Sequence, residues 1–244
     1  MTADPRRVLL APGYILHHRP YRDTSRILEV LVRDHGRLTL FARGVRGPKP
    51  RFGGVLQPFD LLLLSFQLGR DAGQLTGAET AQSAPPLPPG SLMAGFYLNE
   101  LLLKLTGRHD PMAEVFDGYR RALGALRSGG RVDAALRVFE KRLLELMGYG
   151  VDLTSEARTG TGIEAGKFYR FRASEGLFPA EGDEADAVAG ESLIALAQEE
   201  LSGGRALEDA RRVLKAALAQ RLEGKELVTP RVARAVASRG GSRT

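Results

Sequence analysis

Between Tyr14 and Gln82 apolar residues recur at every second position, the spacing of strands that turn one face to a core. The alternation predicts strands over residues 13–21, 26–33, 37–43, 59–67 and 74–82. His35-Gly36 offers a tight connection between the second and third, and residues 69–73 between the last two. So many short strands in so short a stretch point to a small closed barrel, because closure removes the edges that an open sheet would expose. An OB-like barrel is the first reading and an SH3-like barrel the second.

Residues 84–91 read APPLPPGS, and their four prolines fix φ and remove backbone donors, so neither strand nor helix crosses them. Beyond this boundary the period becomes helical. Phe96, Leu98, Leu101, Leu102 and Leu105 share a face over residues 92–106, with Ser91 as the expected N-cap. A second helix is expected over 111–127 behind Asp110. A third, over 132–147, carries Leu136, Phe139, Leu143, Leu144 and Met147 and ends at Gly148. Residues 150–184 lose the period and read as a small irregular module. It returns over 191–201 and more strongly over 207–222, where Leu207, Ala210, Leu214, Ala217, Leu218 and Leu222 make one stripe and Arg211, Arg212 and Lys215 lie opposite. A short last helix is expected after Pro230. The organisation is therefore α+β and multi-domain: a barrel over 1–82, a helical bundle over 83–150, the irregular module over 151–184, and C-terminal helices over 185–244 that pack back on the bundle.

Charge sharpens this division. The formal net charge is +6, but residues 1–80 hold 12 basic and 7 acidic residues, 152–200 hold 4 and 11, and 201–244 hold 10 and 4. Two basic regions flank an acidic one, and a polyanion is the natural partner of the basic parts, since neutralising phosphates releases their counterions. The longest apolar runs, such as FDLLLLSF at 59–66, fall short of a membrane span, and the run at 8–11 is too short for a signal peptide. With no cysteine, disulfides, thiol nucleophiles and cysteine-ligated metals are excluded, in keeping with a reducing cytoplasm.

Catalytic sets are missing from the chain. TGTGIEAGK at 159–167 lacks the spacing of a phosphate loop, and Phe168 stands where Ser or Thr belongs. His17 and His18 are adjacent on a strand, so they point to opposite faces and cannot share a metal. The acidic run at 181–186 lacks the spacing of a calcium loop. The expectation is a protein that binds rather than one that catalyses.

What the chain does carry is a basic hairpin. In RLTLFAR at 37–43, Leu38, Leu40 and Ala42 point one way, and Arg37, Thr39, Phe41 and Arg43 the other. Leu28, Val30 and Val32 supply the matching inner row. If these fill the barrel, a phenyl ring between guanidiniums faces outward, a surface on which bases stack while arginines follow the phosphates. The next segment, RGVRGPKPRF, adds Arg46, Lys49 and Arg51 with no acid and reads as a mobile basic loop. Candidate nucleic-acid contacts are thus Arg19, Arg22, Arg37, Phe41, Arg43, Arg46, Lys49 and Arg51, with Arg211, Arg212 and Lys215 on the late helix. The competing reading is an adaptor whose barrel and helices dock partner subunits or peptides, with the basic face covered by the helical part.

Several stretches together resemble the RecO family of bacterial recombination mediators: YRDTSRILEVLVRDHGRLTLFARGVRG at 21–47, LQPFDLLLL at 56–64, FYLNELLLKL at 96–105, PMAEVFDGYRRAL at 111–123, FEKRLLELMGYGVDL at 139–153, and the closing LEGKELVTPRVARAV. The resemblance implies an N-terminal OB domain, a helical bundle, and a zinc module after residues 148–150. Many members have four cysteines there, and this chain has none near 154–162 or 178–182, so no zinc and no other cofactor is expected. It also implies a cytoplasmic, nucleoid-associated protein that is not an enzyme. Such a protein binds single- and double-stranded DNA, anneals complementary strands, and with RecR helps load RecA onto strands covered by single-strand-binding protein.

Overall fold

The computed structural model describes residues 6–46, 49–52, 54–182, 184–222 and 224–230. They form two compact units, one running to Leu123 with a return of the chain from Leu227, the other from Gly124 to Glu226. The helix expected after Pro230 lies outside the described residues. No helix among them is long and apolar enough to cross a membrane.

The first unit begins with a closed barrel of five strands, β1 (Arg7–Tyr21), β2 (Ser25–Val32), β3 (Gly36–Ala42), β4 (Leu62–Gln67) and β5 (Gly73–Thr80). Their order is β1-β2-β3-β5-β4, closed by β1 against β4. All neighbours are antiparallel except β3 and β5, which run parallel. That closure is the OB arrangement and sets aside the SH3-like reading. Alternation fills the barrel as expected: Leu28, Val30, Val32, Leu38, Leu40 and Ala42 are buried with Ile15, Leu62, Leu64, Phe66 and Leu75.

β1 starts six residues before the expected position 13, because Arg7 and Val8 pair with Gln67 and Phe66 of β4. Pro12 ends the apolar run but not the strand, since its carbonyl still accepts the Arg33 amide at 3.1 Å. A bulge between Val8 and Ala11 places Leu10 at φ 51° and leaves Leu9 and Leu10 exposed.

After the prolines come α1 (Leu92–Leu105) and α2 (Ala113–Arg127). Ser91 does not cap α1 with its side chain; it closes a 3-10 turn, Pro89–Ser91, that leads into the helix. Leu98, Leu101 and Leu102 of α1 are fully buried, whereas Phe96 is half exposed, with its ring against Phe59 at 5.1 Å. Two contacts fasten the helices to the barrel wall. Asn99 donates to the Leu16 carbonyl at 2.8 Å and accepts from the Tyr119 hydroxyl, while Tyr14 meets Phe116 and Tyr119 at centroid distances of 5.2 and 5.0 Å. Glu100 accepts the Val228 and Thr229 amides at 2.8 and 2.9 Å, which ties the returning chain to α1.

In the second unit α3 (Val132–Leu146), α4 (Gly190–Gln198) and α5 (Gly204–Arg221) accompany a sheet of order β7-β6-β8. Its strands are β6 (Phe168–Arg172), β7 (Gly176–Ala180) and β8 (Ala187–Ala189). The stretch expected to be irregular therefore contains a regular hairpin. Its strand signal is short, five residues a side, which is why the surrounding glycines mask it. Gly148 ends α3 as expected: at φ 77° it lets its own amide reach the Glu145 carbonyl and the Tyr149 amide reach that of Leu144.

Candidate nucleic-acid interface

The registers of β1, β2 and β3 stack the outward residues in rows. Tyr14, Leu31 and Arg37 make the first, His17, Glu29 and Thr39 the second, Arg19, Ile27 and Phe41 the third, and Tyr21 with Ser25 the fourth. β5 adds Gln74 beside Phe41. The first row is covered by α1, α2 and the chain between them, with Tyr14 and Leu31 2% exposed. The third and fourth rows are the open end of the face.

At that end two rings meet. Tyr21 and Phe41 lie 5.3 Å apart at 51°, and the Arg22 guanidinium stands 5.2 Å from the Tyr21 ring. Phe41 is half-buried, so part of its ring is open to solvent. Gln74 fixes the strand beneath it by donating to the Phe41 carbonyl at 2.8 Å. Arg19, Arg22, Arg43, Arg46, Lys49 and Arg51 are all exposed. Arg22 sits at φ 51° in the β1–β2 turn, and the chain after β3 folds over that turn: the Val45 and Arg46 amides donate to the Thr24 carbonyl at 2.9 and 3.0 Å. Arg22, Arg43 and Arg46 are thereby brought to one end of the barrel.

The basic loop is anchored where it was expected to be mobile. Val45 and Leu56 are buried in the barrel core, with Phe52 and Val55 packed against it. The Arg51 amide donates to the Gly44 carbonyl at 2.7 Å, and its guanidinium donates to the Thr76 carbonyl at 2.9 Å while lying 4.9 Å from the Phe52 ring. Arg51 therefore has a structural task as well as an exposed charge.

Arg37 does not stand with Phe41. Its guanidinium donates to Glu29 at 3.0 Å and to the Thr106 carbonyl at 2.9 Å, and only 13% of the side chain is exposed. It shares strand and parity with Phe41, yet its row is covered. A guanidinium buried beside a carboxylate is held there by the cost of leaving either charge unpaired.

Arg211, Arg212 and Lys215 belong to the second unit and form no part of the barrel face. Arg211 and Lys215 are exposed one turn apart on α5. Arg212 is engaged, donating to the Ala187 carbonyl at 2.6 Å near Asp209. Tyr21, Gln74 and Arg70 are additions to the sequence-derived set. Tyr21 carried a readable signal, since it shares parity with Arg19 on one strand. Gln74 did not, because its place follows from the parallel β3–β5 pairing. Arg70, exposed in the β4–β5 turn, occupies a loop that OB barrels use for oligonucleotides.

The residues present do not fit zinc. Among the described residues no group of three or more His, Cys, Asp or Glu is placed to hold a metal. Where cysteines were expected the chain is closed by hydrogen bonds instead. Asp152 accepts the Thr154 amide at 2.8 Å and the Thr154 and Ser155 hydroxyls at 2.7 and 2.5 Å, and these bonds hold its carboxyl down at about 2. The Ala157 amide donates to the Leu177 carbonyl at 2.8 Å, joining this turn to β7. Tyr169, fully buried on β6, accepts the Glu164 amide through its hydroxyl at 3.0 Å.

Comparison with known proteins agrees with this architecture. The family described as Recombination protein O N terminal matches residues 7–84, and that described as Recombination protein O C terminal matches 89–229. A DNA repair protein RecO of Methylococcus capsulatus is 42% identical over 92% of each chain. Its counterpart in Nitrosococcus oceani is 41% identical over 91% of each. That of Coxiella burnetii is 38% identical over 92% of this chain and 97% of its own. The barrel, the helices and the length covered lead to one conclusion: this chain belongs to the RecO family.

Proposed function

We propose that the protein is a DNA-binding mediator of recombinational repair, and that the open end of the barrel face is where it holds the polynucleotide. One observation carries the reading. The Tyr21–Phe41 ring pair is surrounded by exposed Arg19, Arg22, Arg43 and Arg46 on a barrel of OB topology. Rings of this kind stack on unpaired bases at about 1–3 kcal/mol each, and guanidiniums follow a phosphate chain whatever its sequence. Because the arginines recognise phosphate, the same end takes duplex as well as single strands. Neutralising two strands at once lowers their repulsion and favours annealing of complementary sequences.

A protein with these properties prepares strands for another protein instead of changing bonds itself. Cooperation with RecR, engagement of strands covered by single-strand-binding protein, and delivery of RecA are the steps that family membership suggests. The relatives' name, DNA repair protein, places the same role in repair.

Filter binding of a single-stranded oligonucleotide across a salt series tests the site. The wild-type affinity should fall with salt by about 0.7 log units per log unit for each phosphate contacted. Arg43→Ala with Arg46→Ala should weaken all sequences alike and flatten that slope. An unchanged affinity and slope would move the site elsewhere.

A further inference from the structure

Glu29 lies on the proposed binding face, and its surroundings are unusual for a carboxylate that would face a polyanion. It occupies the second outward row, one pleat from Ile27 and Phe41, a separation of about 7 Å along the strand. Its Oε1 accepts Thr39 at 2.7 Å and Arg108 at 2.8 Å, and its Oε2 accepts Arg37 at 3.0 Å. Two guanidiniums and a hydroxyl thus converge on one carboxylate that is itself only 16% exposed. The two cations differ in how firmly they are held. Arg37 is also bonded to the Thr106 carbonyl and is buried, whereas the Arg108 side chain is 52% exposed and meets Glu29 from the chain between α1 and α2.

We infer that Glu29 sets the length of the nucleic-acid footprint: it withholds Arg108 from phosphate and ends the binding track at the second row. The inference rests on the barrel-face reading above. Physically, a phosphate approaching the second row meets a carboxylate whose charge is already matched, so it gains little there. At the third row the exposed arginines have no such acid among them. Arg108 lies at the right place to extend the track, and the ion pair to Glu29 is what keeps it from doing so.

The test is a double-mutant cycle on Glu29 and Arg108, read as the salt slope of affinity for a single-stranded homopolymer long enough to pass the open end. Glu29→Gln keeps an acceptor for Thr39 and removes the charge that holds Arg108. It should steepen the slope by roughly 0.7, one added phosphate contact. Arg108→Ala alone should leave the slope as in the wild type, and Glu29→Gln with Arg108→Ala should return it to the wild-type value. A gain of contacts cannot arise from partial unfolding, so a destabilised variant does not imitate the expected result. If Arg108→Ala flattens the slope equally in both backgrounds, or Glu29→Gln leaves it unchanged, the inference fails. The Arg43→Ala with Arg46→Ala result separates the two readings. Loss of binding there with no effect at Glu29 overturns only the footprint limit, and a wild-type affinity indifferent to salt overturns both.

Discussion

Asn99 shows how one buried amide fixes a helix on a barrel wall. It is 2% exposed, its nitrogen serves the Leu16 carbonyl, and its oxygen serves the Tyr119 hydroxyl. Asn99→Ala removes a partner from two buried polar groups at once, and each such loss costs about 1–3 kcal/mol. Tyr119→Phe removes one of those bonds and leaves the Leu16 carbonyl served, so it should cost less. Urea denaturation of the two variants checks the order; a curve for Asn99→Ala that overlays the wild type contradicts it. At this scale the sequence was readable for side-chain direction and silent on cover. Phe41 and Arg37 have the same parity on β3, and alternation turns both outward. What distinguishes them is Thr106, 69 positions away, which reaches Arg37 and not Phe41. No local pattern contains that information.

Among the elements, the turn before β6 replaces a metal with hydrogen bonds. Asp152, Thr154 and Ser155 form a local network, and Glu156 and Thr161 close the turn through a 2.8 Å amide bond. The Asp152 carboxyl is depressed from 3.8 to about 2, first by the Ser155 hydroxyl and then by Thr154. A depressed carboxyl contributes its stabilisation above its unfolded pKa and loses it as pH falls through the folded one. The turn should therefore hold from neutral pH down to the ordinary carboxylate range and loosen from there toward about 2. Carbon NMR of the Asp152 carboxyl across an acid titration reads this directly. A midpoint near 3.8 would show that the hydroxyls do not hold it.

The same scale explains why the hairpin β6–β7 escaped the sequence pattern. Its strands are short and stand among glycines, and Tyr169 is buried by β8 and its neighbours, not by an alternating run. The basic loop after β3 follows similar logic. Its charges and prolines suggested mobility, but Val45 and Leu56 enter the barrel core and outweigh composition. Hydrophobic anchors only 11 positions apart can pin a charged loop without altering its surface.

For the molecule as a whole, the charge division along the chain has a structural counterpart. The barrel, with its excess of basic residues, belongs to the first unit, and the acidic stretch 152–200 lies in the second. The five strands and their inner row were legible because burial of one barrel face enforces alternation. The first six residues of β1 were not, since they depend on pairing with β4 across a bulge. Family membership extends this architecture over nearly the whole chain, while the residues that touch DNA are a matter of which end of one face remains open.

The most direct test of that claim is to titrate isotopically labelled full-length protein with a short single-stranded homopolymer and record which backbone amides shift. The account predicts shifts at Arg19, Tyr21 and Arg22, at Phe41, Arg43 and Arg46, and at Gln74, with the amides of Tyr14 and Leu31 unmoved. Shifts confined to α5 around Arg211 and Lys215, with the barrel face silent, would contradict it.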